Sequence, residues 1–111
     1  MPGISIHVVD VSRGVVGAGM KLELYGPDRK LLVSGVANGK GLLEVDATVA
    51  AGGYEAVFHV AAWYREQGVK LAEPPFLDLV YYRFGVADPK QHYHLPFKCT
   101  PWGYSCFRGG A

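Results

Sequence analysis

The sequence predicts an all-β fold, a two-sheet antiparallel sandwich of about eight short strands with one short helix. Short apolar runs, several of which alternate apolar and polar side chains, recur along the chain as strands do. Glycine (15 residues) and proline (7 residues) punctuate these runs, where tight turns need them. The predicted strands cover residues 4–9, 20–25, 29–36, 42–45, 54–58, 77–86, 91–99 and 104–108.

The first predicted strand, residues 4–9, separates polar from apolar side chains. Its first four positions alternate, so Ser5 and His7 share one face while Ile4 and Ile6 share the other. We therefore expect the serine and the histidine to lie side by side on one surface of a sheet.

The next three strands are separated by loops and turns of typical composition. A loop of Gly, Val and Ala at residues 14–19 leads to residues 20–25, which alternate strictly and end at a Gly-Pro-Asp turn. Residues 29–36 form the following strand. An Asn-Gly-Lys-Gly turn at residues 38–41 then leads into residues 42–45.

The single predicted helix follows the fifth strand. Residues 60–67 lack β-alternation and stop at Gly68, which is typical of a helix end. The last three strands are separated by an Asp-Pro turn and by a Thr-Pro-Trp-Gly turn.

Length and charge limit the class of protein. A chain of 111 residues fits one domain over residues 1–111. With 11 Lys and Arg against 10 Asp and Glu it is neither a disordered segment nor a basic nucleic-acid-binding surface. No apolar run approaches the ~20 residues of a membrane helix, and the start lacks the features of a signal peptide. We expect no nucleic-acid or membrane partner and a cytoplasmic location.

Two cysteines, Cys99 and Cys106, lie on either side of a Pro-Trp-Gly turn. Without an export signal, we expect two reduced and half-buried thiols rather than a disulfide. A zinc site from these two alone is not expected, because structural zinc usually has ligand pairs about two to four residues apart.

Histidines supply the candidate chemistry. His92 and His94 are two residues apart in a predicted strand, so both imidazoles point the same way, and His7 is central in another strand. Imidazole titrates near neutral pH, so histidines on adjacent strands could share proton transfers as general acid and base. His59 ends an apolar strand and is interpreted as an edge or loop residue.

Two other interpretations of the histidines stay open at this point. Each could be a structural residue, or the His-x-His pair and a third histidine could form a three-histidine zinc site. No carboxylate stands in the sequence as an obvious partner for such ligands, so we expect no metal and no cofactor.

Blocks along the whole chain are arranged as in a known family. Ile-His-Val-Val-Asp-Val-Ser-Arg-Gly at residues 6–14 resembles the opening signature of the transthyretin-like, 5-hydroxyisourate hydrolase family. Residues 34–36 and the glycine-rich turn after them resemble its second conserved region. His-Tyr-His-Leu-Pro at residues 92–96 and Pro-Trp-Gly-Tyr-Ser-Cys-Phe-Arg-Gly at residues 101–109 resemble its C-terminal signature.

The resemblance implies a transthyretin-like domain of two four-stranded sheets and a homotetramer, a dimer of dimers with a through-channel. In the hydrolase branch the channel binds a small planar purine-derived ring and hydrolyses a ring amide with two histidines, an arginine and a terminal serine motif. In the vertebrate branch the same channel carries hydrophobic hormones. Membership of the fold therefore does not decide between an enzyme and a carrier.

The family's functional residues are only partly kept. His7 and His94 match its two catalytic histidines, whereas Leu42 stands where the arginine is expected. At the C-terminus Phe107 replaces a tyrosine and Gly110 replaces the last serine, while Arg108 and Gly109 match.

Lys98 adds a polar group where the family typically has leucine. It shares strand parity with His94 and Pro96, so it is expected to point toward the channel as a base, a nucleophile or an anion-binding group. The alternative is a side chain that extends to water. Ser105 and Phe107 are expected to face the same channel.

We therefore assign roles to ten residues. Catalysis is assigned to His7, His94, Lys98 and Ser105, and substrate binding to Leu42, Pro96, Phe107, Arg108, Gly109 and Gly110. The first hypothesis is an enzyme of this family with a shifted substrate, which hydrolyses, cyclises or isomerises a small molecule of secondary metabolism. The second is a 5-hydroxyisourate hydrolase of purine metabolism, and the third is a carrier of small ligands without turnover.

Overall fold

The computed structural model of the protein describes residues 2–45 and 49–110. These residues form strands β1 (Gly3–Asp10), β2 (Val15–Val16), β3 (Lys21–Tyr25), β4 (Leu31–Val36), β5 (Leu42–Val45), β6 (Gly52–His59), β7 (Leu79–Val86), β8 (His92–Thr100) and β9 (Gly103–Cys106). The helix α1 (Val60–Glu66) follows β6, and a 3₁₀ turn lies at Pro27–Arg29. No helix of the described residues is long and apolar enough to cross a membrane.

The strands form two sheets, as predicted. Sheet I contains β2, β1, β8 and β9 in that order, and β5 pairs with β1 beside β2. Sheet II contains β4, β3, β6 and β7 in that order. All strand pairs are antiparallel except β1 with β8, which is parallel from Gly3 opposite His92 to Asp10 opposite Cys99.

The parallel pair is the one departure from the predicted antiparallel arrangement. Hairpin turns impose antiparallel pairing on strands that follow each other, but β1 and β8 are separated by all of sheet II. No local turn sets their relative direction, so the sequence pattern does not reveal it.

The core lies between the sheets and determines which side chains point outward. The core-facing residues of β1 and β8 are Ile4, Ile6, Val8, Tyr93, Leu95, Phe97 and Cys99, all almost completely buried. The rings of Phe58 on β6 and Phe97 on β8 stack across the core with centroids 3.7 Å apart. Because successive strand residues point to opposite faces, the alternate residues of β1 and β8 lie on the outer face of sheet I.

The predicted elements are confirmed with small shifts at their ends. The helix predicted over residues 60–67 is α1, and Gly68, with a positive φ of 81°, follows its end. Strand β7 begins at Leu79 rather than at residue 77. The two-residue strand β2 lies inside the predicted loop 14–19, because a run this short has no periodicity to detect.

Both cysteines are free, as predicted. Cys106 is half-buried, but Cys99 is fully buried because it faces the core beside Phe97. Burial raises the pKa of Cys99 to about 11 and the pKa of Cys106 to about 12. Both thiols are therefore protonated and unreactive at neutral pH.

Candidate active site

Ser5, His92 and His94 are joined by hydrogen bonds on the outer face of sheet I. The Oγ atom of Ser5 lies 2.8 Å from Nε2 of His92 and 2.7 Å from Nδ1 of His94. The parallel pairing of β1 with β8 sets Ser5 opposite His94, and partners in register point to the same face. Ser5 is buried, whereas both imidazoles are half-buried.

His7 lies two residues further along the same face. Its Nε2 atom donates a hydrogen bond to the carbonyl oxygen of Lys40 over 3.1 Å. A carbonyl can only accept, so Nε2 carries the proton in the neutral ring and Nδ1 keeps the lone pair. His7 is thus prepared to accept a proton at Nδ1.

Burial lowers the pKa of His94. The electrostatic influence of the neighbouring imidazoles of His7 and His92 acts in the same direction, while the carboxylate of Glu44 opposes it. His94 is therefore neutral at pH 7. We call the surface formed by Ser5, His7, Glu44, His92 and His94 the histidine face.

Glu44 is the residue of this face that the sequence pattern missed. It lies on β5, opposite Ser5, because β5 pairs with β1 from Ile4 to His7. Glu44 makes no hydrogen bond or ion pair with the histidines in the described residues, but its charge raises the pKa of His94 against the other causes. Glu44 shares a face with Leu42, two residues earlier in β5, but the sequence pattern does not reveal that β5 pairs with β1.

Gly109 packs closely against Pro96 and His94 at one end of the histidine face. Its backbone N–H donates to the carbonyl oxygen of His94 over 2.7 Å. A Cβ atom at this position would lie 2.8 Å from Cγ of Pro96 and 3.1 Å from Cδ2 of His94. The approach is close enough that only glycine fits. Gly110 is exposed, with open space where a Cβ atom would lie.

Arg108 is turned away from the imidazoles. Its guanidinium donates to Oε1 of Gln91 over 2.9 Å and to the carbonyl oxygen of His92 over 3.3 Å. It also lies over the ring of Tyr93, 4.1 Å from the centroid, and Tyr93 points into the core rather than toward the histidine face. The structure does not bring this residue to the predicted site.

Lys98, Ser105 and Phe107 lie together further along β8 and β9. Lys98 stands opposite Ser105, and its Nζ atom lies 5.7 Å from the centroid of the Phe107 ring. All three are exposed, and Lys98 has no ion pair within the described residues. Both the channel-facing and the water-facing interpretations of Lys98 stay open in a single chain.

Leu42 is half-buried and lies opposite His7 in the pairing of β5 with β1. It contributes an apolar wall beside the imidazole, at the position where the resemblance led us to expect an arginine.

No metal site forms around the histidines. Within residues 2–45 and 49–110, no three His, Cys, Asp or Glu side chains are arranged to hold an ion. The nitrogens of His92 and His94 instead converge on the Ser5 hydroxyl.

His59 lies on the other sheet. It ends β6, a central strand of sheet II, rather than an edge or a loop, and its Nε2 atom is 3.1 Å from Oε1 of Glu23. It has no place in the histidine face.

The histidine face of one chain is an open surface. A cavity of about 440 Å³ lies instead on the outer face of sheet II, between Tyr25 and Tyr81. None of the histidines lines this cavity, so a ligand bound there would not reach the imidazoles. An enclosed site at the histidines thus needs a covering surface from outside the chain.

Comparison with known proteins matches residues 4–109 to the model of one family, described as the HIUase/Transthyretin family. The chain is 41% identical over 113 residues to 5-hydroxyisourate hydrolase 2 of Rhizobium meliloti (strain 1021), covering 96% of this chain and 94% of that relative. It is similar to the structure of Klebsiella pneumoniae 5-hydroxyisourate hydrolase, with a TM-score of 0.84 and 27% identity, covering 99% of this chain and 100% of that one. It is also similar to a crystal structure of (S)-allantoin synthase, with a TM-score of 0.88 and 29% identity over 97% of this chain. It spans only 43% of that longer chain.

Proposed function

This chain belongs to the HIUase/Transthyretin family, and we propose that it is an enzyme that opens a ring amide of 5-hydroxyisourate by hydrolysis. The observation that carries the proposal is the histidine face, where neutral His94 stands beside His7, whose Nδ1 keeps a lone pair. Two such imidazoles can act as the general base and the general acid of a hydrolysis near neutral pH. A carrier without turnover has no need of them.

In this mechanism His7 is the base and His94 the acid. A water molecule attacks the ring carbonyl carbon while Nδ1 of His7 takes one of its protons. The carbonyl oxygen becomes an oxyanion in a tetrahedral intermediate. The carbon–nitrogen bond then breaks, and the leaving nitrogen takes a proton from Nε2 of His94. The oxyanion re-forms the carbonyl of the new carboxyl group. His7 then gives its extra proton to solvent and His94 regains one from solvent, so the balance is one water added and one ring amide opened.

Lys98 and Ser105 are proposed to stabilise the oxyanion. Leu42, at the family's arginine position, offers no hydrogen-bond donor. Lys98 is a cation without an ion pair in the described residues, and it stands opposite the Ser105 hydroxyl. A charged donor aimed at an oxyanion typically lowers the barrier by about 3–4 kcal/mol.

Substrate binding is proposed to use apolar side chains and the backbone of Gly109, which lies close to His94 at one end of the site. Leu42, Pro96 and Phe107 supply the walls. Gly109 supplies the close backbone approach beside His94. Arg108 and Gly110 would enter the substrate site only by moving or through a second copy of the chain.

Leu42 also favours a second candidate function, in which the enzyme acts on a different substrate from 5-hydroxyisourate. A leucine beside His7 suits a larger or less polar ring than a urate derivative. The same acid and base pair would then hydrolyse, cyclise or isomerise a small molecule of secondary metabolism.

A direct assay separates these functions. Freshly generated 5-hydroxyisourate should decay faster with the protein, followed by ultraviolet absorbance, and His7→Ala should reduce the rate about 100-fold or more. Lys98→Ala should cost about 100-fold if its ammonium stabilises the oxyanion. His59→Gln, on sheet II, is the control and should keep the wild-type rate. A background rate with folded wild-type protein would reject hydroxyisourate and leave the shifted substrate.

We also propose that the enzyme is a homotetramer in the cytoplasm. The open histidine face supports this, because paired copies of sheet I would enclose a channel between them. Exposed apolar residues on or beside sheet I and outside the core, Phe107 at 44% and Val16 at 37%, would gain cover in such an assembly.

A further inference from the structure

The hydroxyl of Ser5 lies between two imidazole nitrogens, at 2.8 Å from His92 and 2.7 Å from His94. A serine hydroxyl has one proton, so it donates to one nitrogen and accepts from the N–H of the other. The two hydrogen bonds therefore have a common direction, and each direction fixes the tautomers of both rings.

The two directions give His94 opposite roles. When His92 donates from Nε2 to Ser5 and Ser5 donates to Nδ1 of His94, His94 carries its proton on Nε2 and is a general acid. When His94 donates from Nδ1 to Ser5 and Ser5 donates to Nε2 of His92, Nε2 of His94 has a lone pair and is a general base.

We propose that Ser5 and His92 form a proton relay that converts His94 between its acid and base forms without giving it a net charge. The proposal rests on the proposed function, because it supplies the proton that His94 gives to the leaving nitrogen. Ser5 and His92 are positioning residues that act through His94.

The relay balances in protons. His94 loses its Nε2 proton to the leaving nitrogen, and its Nδ1 atom takes the hydroxyl proton of Ser5. The Oγ atom of Ser5 takes the Nε2 proton of His92, and Nδ1 of His92 takes one proton from solvent. In the reverse sequence Nε2 of His94 takes a proton from water, the Nδ1 proton of His94 passes to Ser5, and Ser5 gives its proton to Nε2 of His92. This restores the acid form and releases one proton to solvent from Nδ1 of His92.

The surroundings of His94 favour a relay over an imidazolium. Burial and the electrostatic influence of His7 and His92 lower the pKa of His94, and Glu44 on β5 opposes them only in part. Lys98, four residues further along β8, and Arg108, which donates to the backbone carbonyl of His92, are not among the groups that shift this pKa. A neutral ring that passes a proton through avoids the charged form that burial and the neighbouring imidazoles disfavour.

His92 connects the relay to water. Its imidazole is half-buried, and its Nδ1 atom makes no hydrogen bond to any residue within 2–45 or 49–110. Ser5 is enclosed between the strands, with 6% of its surface exposed, so water does not replace its hydroxyl.

The first test is the tautomer state of each ring, measured by ¹⁵N NMR of labelled protein without substrate. Ser5→Ala should change the ¹⁵N shifts of Nε2 in His92 and Nδ1 in His94 together, and leave His59 unchanged. Ser5→Thr keeps the hydroxyl and should retain the wild-type shifts of both rings. If Ser5→Ala left both rings as in the wild type, the relay would be overturned.

The second test is kinetic. Ser5→Ala and His92→Gln should each lower kcat about 10- to 100-fold with little change in KM, while Ser5→Thr restores the rate to within about threefold. The rate in mixtures of light and heavy water should curve for the wild type, because several protons move together, and become linear in Ser5→Ala. A wild-type kcat and a curved dependence in Ser5→Ala would overturn the relay.

The two proposals fail in different ways. If the wild type does not hydrolyse 5-hydroxyisourate, the proposed function fails and the NMR shifts alone decide the relay. If the wild type is active and Ser5→Ala is equally active, the relay fails and the proposed function stands.

Discussion

Leu42 stands opposite His7, where an enzyme of this family is expected to hold an arginine. We expect Leu42→Arg to raise kcat/KM for 5-hydroxyisourate by about 10- to 100-fold, because a guanidinium can bind a carbonyl or oxyanion oxygen with two donors. The ultraviolet assay measures this gain. Leu31→Arg, at an exposed leucine of sheet II, is the matched control and should have no effect. Without a gain, Lys98 already supplies the needed charge.

Gly109 approaches His94 too closely for any side chain. We expect Gly109→Ala to displace the C-terminal segment from Pro96 and His94, and to lower kcat/KM by about tenfold, since small misplacements in an active site are costly. Gly85→Ala has open space for its methyl group and is the matched control. Equal activity of the two variants would show that the close packing of Gly109 against His94 is not needed for catalysis.

At the level of single residues, the sequence predicts which side chains belong to the site better than it predicts the hydrogen bonds between them. The parity of Ser5 with His7, and of His92 with His94, follows from strand periodicity and is as expected. The hydrogen bonds from Ser5 to the two imidazoles and the presence of Glu44 depend on which strands pair. Periodicity does not contain that information.

Among the elements, α1 is anchored to the end of β1 through a buried carboxylate. The Tyr64 hydroxyl of α1 donates to Asp10 over 2.7 Å, and Arg13 pairs with the same carboxylate over 2.6 Å. Burial alone would raise the pKa of Asp10, but hydrogen bonds from Ser12, Arg13 and Tyr64 outweigh it, and the pKa is lowered.

A lowered carboxyl pKa makes stability depend on pH. Its contribution is fully present above the unfolded pKa of about 3.9 and is lost as pH falls through the folded pKa. We expect Tyr64→Phe to lower the free energy of unfolding by about 1–2 kcal/mol at pH 7 and by less in acid, measured by urea unfolding. Tyr81→Phe, at an exposed tyrosine, should cost nothing. A loss independent of pH would remove Asp10 from this account.

The strands and the helix are well predicted because each has a local signal. Residues 42–45 coincide with β5, and the helix begins at residue 60 as expected. The parallel pairing of β1 with β8 has no local signal in the sequence, because it is set by the burial of both strands against sheet II. The histidine face depends on this pairing.

For the whole molecule, we expect sedimentation equilibrium to give four times the mass of one chain. Val16→Glu should shift the protein toward smaller species, because a carboxylate replaces an exposed apolar side chain on the outer face of sheet I. Val36→Glu, at an exposed valine of sheet II, is the control and should keep the tetramer. A fully active monomer would contradict the proposed enclosed channel.

The pairing of β1 with β8 has a consequence for synthesis on the ribosome. Ser5 and His94 are 89 positions apart, so a growing chain has its first strand long before the partner emerges from the exit tunnel. Until then, one edge of β1 has unpaired backbone amide and carbonyl groups, which could pair with another nascent chain. Such long-range contacts also form late in folding, so the catalytic site can form only after β8 has emerged.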